Sequence, residues 1–107
     1  MKLRCHCGFE IVDGTDDLPQ KGHLVPDQEW LSTHDALDEL IDATAAARIG
    51  KEVAYQRARA IISKPARLMW QCRVCGRLYV DGRDGQLRCF VPDGEPIDRE
   101  ILRSRPS

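Results

Sequence analysis

The chain has 107 residues, of which 42% are hydrophobic and 31% are charged, and its formal net charge is -1. This length and composition predict a single globular domain over 1–107, whose limited core would be strengthened by a metal or a disulfide. The nearly neutral total disfavours a general nucleic-acid binder, because phosphate neutralisation needs an excess of Lys and Arg.

The start of the chain, MKLRCHC, has no apolar run of the length that a signal peptide needs. No later window approaches the roughly 18 apolar residues that a membrane-spanning helix requires. We therefore expect a cytoplasmic protein with no membrane partner. Thiols stay reduced in that compartment, so an odd number of cysteines, five, favours metal ligands or redox groups over disulfides.

The N-terminal segment has the pattern of a short β-hairpin. Residues 3–5 lead into a tight turn at Gly8, and residues 9–12 lead out of it. Between 13 and 27, glycines and prolines break both regular periods. This stretch is therefore expected to be an extended connection.

The middle of the chain has helical periodicity and predicts an inserted helical hairpin over about 28–64. In the first helix, Ser32 and Asp35 resemble an S-x-x-D start signal, and Gly50 is the expected stop. The second helix is expected at 51–63, where apolar residues recur at helical spacing and a proline follows.

The charge of the chain is divided between two long segments. Residues 10–42 contain ten acids and one base, giving -9, whereas residues 48–88 contain ten bases and three acids, giving +7. The first helix is therefore acidic and the second is basic. Two interpretations stay open: solvated faces with weak ion pairs of roughly 0 to 1 kcal/mol each, or an electrostatically polar surface for a partner.

After the helices the pattern changes to strands, which are expected at 68–72, 77–80 and 87–91. A glycine-rich connection at 81–86 suits a hairpin, and aromatic and β-branched residues occupy its flanks. The short C-terminal tail, 93–107, is expected to form one short helix. Together the hairpins and the inserted helices predict an α+β fold.

Two cysteine pairs, each followed by a glycine, carry the chemistry of the chain: Cys5 and Cys7 before Gly8, and Cys72 and Cys75 before Gly76. On such a tight turn both sulfurs can point at one ion, while amide N–H groups of the turn face the thiolates. Four thiolates form the tetrahedral ligand set that Zn²⁺ prefers. We therefore predict one structural Zn²⁺ ion bound by Cys5, Cys7, Cys72 and Cys75.

This pair of Cys-Gly knuckles resembles the zinc-ribbon class, in which two knuckles from two hairpins clamp a metal. The resemblance covers roughly 1–12 and 66–92 and implies zinc-ribbon-like antiparallel β-hairpins, between which the helical hairpin is inserted. The chain also looks like small bacterial proteins with CxCG and CxxCG knuckles. Its first knuckle departs from the class, where two residues usually separate the cysteines, so His6 stays an alternative ligand.

Other interpretations of the cysteines stay open. A redox-active dithiol, unligated thiols and an iron site are each compatible with clustered cysteines. Zinc is favoured over iron because rubredoxin-like proteins normally have two C-x-x-C turns and no large helical insertion. Four protein ligands would leave no open position for water, which disfavours a catalytic zinc.

Five further residues are of types that often bind metals, catalyse reactions or stack on bases, but we expect each of them to have a structural role. Cys89 lies in a predicted strand and is expected to be a small buried apolar residue, not a fifth ligand or a nucleophile. His23 and His34 have no partner at ligand spacing and are expected to face solvent or to be satisfied by hydrogen bonds. Trp30 and Trp70 are expected to anchor the core, because neither lies in a basic and aromatic cluster.

The sequence contains no Walker A loop, no G-x-G-x-x-G and no H-E-x-x-H motif, so we do not expect an enzyme. We expect a zinc-stabilised protein-binding module, such as a toxin-neutralising immunity protein or a small bacterial regulator, whose partner has a basic surface. The alternative is a zinc-ribbon protein that binds nucleic acid. It would use eight basic residues: Arg57, Arg59, Lys64, Arg67, Arg73, Arg77, Arg83 and Arg88.

Overall fold

The computed structural model describes residues 1–106, which form two compact units. The first, which we name the sheet unit, combines Met1–Leu24 with the chain from Arg67 onward. The second, the helical unit, is Val25–Ala66. The helical unit matches the predicted insertion at about 28–64, while the single domain over 1–107 stays a prediction.

The sheet unit contains two antiparallel sheets. Strands β1 (Lys2–Arg4) and β2 (Glu10–Val12) form the predicted N-terminal hairpin. The second sheet has the order β3, β4, β5, β6, and its strands are Lys21–Leu24, Arg67–Gln71, Leu78–Asp81 and Leu87–Phe90. The last three strands agree with the prediction to within one residue at each end, and the α+β fold is confirmed.

Strand β3 was expected only as part of an extended connection. It contains Gly22 and His23 and lacks the β-branched and aromatic residues that mark a strand. It becomes a strand because it pairs along β4, with Lys21 opposite Trp70. A Cβ atom at Gly22 would lie 3.1 Å from Met69 Cγ, so glycine permits this close pairing.

The core of the sheet unit lies between the N-terminal hairpin and the four-stranded sheet. Ile11, Trp70 and Tyr79 are buried there together with two cysteines, Cys5 and Cys72. Burial of each large apolar side chain contributes roughly 1.5–3 kcal/mol. The prediction that Trp70 anchors the core is confirmed.

Asp13 joins the two sheets. Its carboxylate accepts hydrogen bonds from Trp70 Nε1 at 3.0 Å and from Lys21 Nζ at 3.1 Å. Its backbone carbonyl accepts a hydrogen bond from the N-terminal ammonium of Met1 at 2.7 Å. The Trp70 and Lys21 donors lower the pKa of Asp13, because they stabilise the charged carboxylate.

The helical unit consists of α1 (Asp27–Ala45) and α2 (Lys51–Ser63), which pack against each other. The bounds of α2 are as predicted, and α1 begins within one residue of the predicted insertion, but not at the predicted start signal. Pro26 is its N-cap residue and gives no side-chain hydrogen bond. Ser32 lies inside the helix and donates to the carbonyl of Glu29, so the S-x-x-D signal was wrong.

The end of α1 also differs from the prediction. Helix α1 stops at Ala45, and Ala47 takes a left-handed conformation with φ of 57°. The N–H of Arg48 then donates to the carbonyl of Ala43 at 3.0 Å, which satisfies a carbonyl at the helix end. Gly50, the expected stop, is the N-cap residue of α2 instead.

The interior of the helical unit is small. Leu40 of α1 and Ala54 of α2 are its buried residues, and they mark the seam between the helices. Trp30 is 48% exposed and stacks on His34 with ring centroids 4.6 Å apart, so its prediction as a core anchor was wrong. By helical geometry Trp30 lies to one side of the seam, and a two-helix unit buries only a narrow stripe.

Within residues 1–106, neither α1 nor α2 combines the length and apolar character needed to cross a bilayer. Helix α1 has 19 residues but carries six acidic side chains among them. The cytoplasmic location stays a prediction.

Residues 93–106 of the C-terminal tail form turns rather than the predicted helix, and they pack on the sheet unit, while Ser107 lies outside the described residues. Gln71, 3% exposed at the end of β4, holds the tail there. Gln71 Nε2 donates to the carbonyl of Asp98 at 2.8 Å, and Gln71 Oε1 accepts from the N–H of Ile101 at 2.9 Å. The conformation of the tail is therefore determined by hydrogen bonds to the Gln71 side chain of β4, and not by the helical periodicity of its own sequence.

We predict that Gln71→Ala destabilises the sheet unit by about 1–3 kcal/mol, because the two partly buried hydrogen bonds that hold the tail on β4 are lost. Denaturant unfolding of the metal-loaded chain measures this change. Gln86→Ala is the matched control, since Gln86 is exposed. Equal unfolding midpoints for the two variants would contradict the role given to Gln71.

Candidate metal centre

Two tight turns of similar construction carry the four predicted ligands. In the first, between β1 and β2, the N–H of Cys5 donates to the carbonyl of Phe9 at 2.8 Å. In the second, between β4 and β5, the N–H of Cys72 donates to the carbonyl of Arg77 at 2.9 Å. In each turn, the first cysteine is thus hydrogen bonded to the residue that directly follows the glycine.

The glycines of these turns have positive φ, a conformation that favours glycine. Gly8 has φ of 97° and Gly76 has φ of 83°. A Cβ atom at Gly76 would also lie 2.6 Å from Ile97 Cγ2, in the C-terminal tail. Gly76 is therefore required both by its backbone conformation and by the close packing of the tail.

The structure brings together the sulfurs of the two turns, which are separated by 65 or more residues in the sequence. Cys5 Sγ lies 3.4 Å from Cys75 Sγ, and Cys7 Sγ lies 3.6 Å from Cys72 Sγ. All four sulfurs lie within 4.8 Å of one another. A tetrahedral ion with bonds of roughly 2.3 Å would set each pair about 3.8 Å apart, so the cluster is consistent with a bound metal ion.

Tyr79 of β5 supports the first turn and was missed by sequence reasoning. Its hydroxyl accepts a hydrogen bond from the N–H of His6 at 3.0 Å, and it lowers the pKa of the Cys5 thiol. Tyr79 is 3% exposed, so its hydroxyl is shielded from water. A tyrosine four residues after a cysteine has no recognised spacing, and only the folding of β5 against the first turn reveals the contact.

The pKa values of the buried thiols differ because their surroundings differ. Burial would raise the pKa of Cys5, but hydrogen bonds from the Tyr79 hydroxyl and the Cys7 N–H lower it to about 6. Burial raises the pKa of Cys72 to about 12, although backbone N–H groups of Cys75 and Val74 oppose it. A coordinated divalent cation deprotonates such thiols outright.

Arg77 supports the second turn from outside the ligand set. Its Nη1 donates to Cys75 Sγ at 3.2 Å. Burial raises the pKa of Cys75, but the backbone N–H and guanidinium of Arg77 outweigh it, so the net shift is downward. A cationic donor beside the cluster partly offsets the negative charge that four thiolates would bring.

The other candidate residues lie outside the cluster. His6 is exposed, with its ring edge-on to Tyr79 at 6.0 Å, and is not brought to the sulfurs as an alternative ligand. Cys89 is partly buried and packs against the core, which confirms its structural assignment. His23 and His34 are exposed, as expected.

The eight basic residues of the nucleic-acid hypothesis do not share one environment. Arg77 contacts Cys75, and Arg73 lies over the Phe9 ring with 5.1 Å to its centroid. Three others, Arg67, Arg83 and Arg88, line one open concavity of the sheet unit. Of these, Arg88 already pairs with a neighbouring aspartate.

The donor set determines what the cluster can do chemically. Four sulfur ligands from the protein fill a tetrahedral coordination sphere, so no position would be left for a substrate or a water molecule. An ion held there would supply a cross-link between the N-terminal hairpin and the β4–β5 turn. The Cys5, Cys7, Cys72 and Cys75 thiolates would hold it, with Tyr79 and Arg77 around them.

Comparison with known proteins gives one family match. The family with the description Domain of unknown function (DUF8617) matches residues 1–94, which include all four clustered cysteines. No curated protein and no solved structure matches the chain.

We predict that Tyr79→Phe lowers the metal affinity of the chain by roughly 10- to 100-fold, the usual effect of removing a polar group that supports a metal-binding side chain, because the hydroxyl lowers the pKa of Cys5 and holds the N–H of His6. Competition for Zn²⁺ against a chromophoric chelator measures the affinity. Tyr55→Phe removes a hydroxyl from an exposed tyrosine and is the control. An unchanged affinity for Tyr79→Phe would show that the hydroxyl does not support the thiolate.

Proposed function

We propose that this chain, which belongs to the DUF8617 family, is a non-enzymatic protein-binding module whose sheet unit is stabilised by one structural Zn²⁺ ion. The observation that carries the proposal is the exposed acidic surface of α1, presented on a chain whose cysteine cluster has no open coordination position. A toxin-neutralising immunity protein or a small bacterial regulator in the cytoplasm would have these properties.

Zinc is the metal that the cluster supports best. Zn²⁺ favours tetrahedral thiolate sites and needs no redox partner. The cluster lies in a small core, so the ion would add a cross-link where apolar burial is limited. Iron in the same four sulfurs, or a dithiol without metal, would give a different metal content and is distinguished by elemental analysis.

The acidic surface of α1 is the main support for a protein partner. Helix α1 contains six acids and no Lys or Arg, and all six acidic residues are exposed. None of them forms an ion pair within residues 1–106, not even with the basic side chains of α2. The six are Asp27, Glu29, Asp35, Asp38, Glu39 and Asp42.

These unpaired charges are available to a partner with a basic surface. Complementary charge mainly accelerates association and selects the partner, while apolar contacts supply affinity. Large apolar side chains are also exposed on the same helix, including Leu31 at 72%. Helix α1 therefore offers both kinds of contact.

The second candidate is nucleic-acid binding by the sheet unit. It is favoured by the concavity that Arg67, Arg83 and Arg88 line. Binding through phosphates would weaken steeply as salt rises, because each contact releases a counterion. A binding titration with a mixed RNA and DNA pool at about 50 mM salt tests this candidate, and the absence of binding would eliminate it.

We predict that Cys72→Ser unfolds the sheet unit, because a cluster with one ligand lost holds its metal far more weakly. Elemental analysis of the wild type should give one zinc per chain, and circular dichroism should show loss of β-structure in the variant. Cys89→Ser, which changes a cysteine outside the cluster, should keep both metal and fold. A Cys72→Ser chain that is metal-free and fully folded would contradict the structural role of the ion.

We predict that a triple variant of α1, Asp35→Asn with Glu39→Gln and Asp42→Asn, loses at least about tenfold in affinity for the protein partner. The control neutralises three exposed acids of the sheet unit, Asp16, Asp17 and Asp93, by the same change to Asn. Partners are captured at physiological salt from extracts of the source organism, and affinity is measured with the purified partner. Capture that survives the α1 variant unchanged, or no capture at all, would contradict the proposal.

A further inference from the structure

Helix α1 exposes an apolar stripe along one side. Trp30 and Ile41 are eleven residues apart, which is about three helical turns, so they lie one above the other roughly 16 Å apart. Their exposed fractions are 48% and 64%. His34 lies between them and stacks on Trp30. The stripe is separate from the seam, which Leu40 marks.

Helix α2 exposes a matching pair. Tyr55 and Ile62 are seven residues apart, which is about two turns, and they are 52% and 55% exposed. Tyr55 directly follows Ala54, the seam residue of α2, just as Ile41 directly follows Leu40 in α1. Each stripe is therefore rotated by about 100° from its seam in the same sense.

The two stripes lie on the same face of the helical unit. The short connection over 46–50 makes α1 and α2 antiparallel neighbours. When two antiparallel helices pack along a seam, side chains rotated from that seam by the same angle and in the same sense, each about its own helix axis, lie on the same side of the pair. Four large side chains thus form one exposed surface, which we name the apolar face: Trp30, Ile41, Tyr55 and Ile62.

We propose that the apolar face is a dimer interface, and that its occupant is the helical unit of a second copy of this chain. A pair of helices buries only its seam, whereas two such pairs stacked face to face form a four-helix bundle with a shared apolar interior. An apolar patch bordered by charged residues is the usual form of a protein interface.

Charge favours a second copy over a partner of uniform charge. The six acids of α1 give it a charge of -6. Helix α2 has three bases, Lys51, Arg57 and Arg59, and one acid, Glu52, so its charge is +2. A uniformly basic partner would suit α1 but repel α2. When a second copy is related by a two-fold axis parallel to the helices, α1 of each copy faces α2 of the other.

One pair of oppositely charged residues, Asp38 and Arg59, lies at the borders of the apolar face. Asp38 is seven residues before the end of α1 at Ala45, and Arg59 is eight residues after the start of α2 at Lys51. These offsets correspond to about 10 Å and about 12 Å, so both residues lie at one level. Each is about 150° from its seam, just beyond the apolar stripe. In the dimer, Asp38 lies opposite Arg59 of the partner subunit.

Sedimentation equilibrium of the full, metal-loaded chain tests the dimer. We expect dimers at tens of micromolar chain, and a loss of at least tenfold in dimer affinity for either Asp38→Arg or Arg59→Asp. The double variant should recover most of that loss, because the reversed charges again meet across the interface. Ile41→Ser should weaken the dimer as well. Glu39→Arg, which reverses a charge on the opposite side of α1, is the control and should leave the dimer unchanged.

A monomer at all accessible concentrations would overturn the dimer, and so would a double variant as weak as its parents. Circular dichroism of each variant establishes that the helices are intact. The experiments distinguish a failure of the dimer proposal from a failure of the proposed partner binding. A monomeric chain that captures a basic partner through α1 eliminates only the dimer, whereas a dimer that captures no protein eliminates only the proposed function.

Discussion

Four thiolates placed within 4.8 Å of one another repel each other strongly unless a cation lies among them. The rest of the sheet unit depends on this constraint, because the two turns that carry the sulfurs are 65 or more residues apart in the sequence. Cys5 and Cys72 belong to the same buried cluster as Trp70 and Tyr79. The core and the cysteine cluster are therefore one assembly, and disruption of either affects the other.

The residues around the cluster act through hydrogen bonds rather than as ligands. Tyr79 accepts from the N–H of His6 and lowers the pKa of Cys5 at the first turn, and Arg77 donates to the sulfur of Cys75 at the second. Gln71 then ties the C-terminal tail to the strand that leads into the second turn. Each of these side chains comes from β4, β5 or the turn between them, so the four-stranded sheet determines the environment of both cysteine pairs.

The helical unit has the opposite character. Its interior is a narrow seam, its acids are unpaired, and four large apolar side chains are exposed on one face. A unit of this kind gains stability when another helical surface covers it. The same features support two separate proposals: a dimer through the apolar face and the binding of a basic partner at the acidic side of α1.

Local patterns in the sequence determined the two Cys-Gly turns, the N-terminal hairpin, and helix α2, because each depends on residues close together in the chain. The tertiary structure decided whatever depends on distant partners. β3 is a strand only because β4 pairs with it, and the tail is not helical because Gln71 binds its backbone. Trp30 is exposed because two helices cannot enclose it. Periodicity reports which side chains share a face, but only packing decides whether anything covers that face.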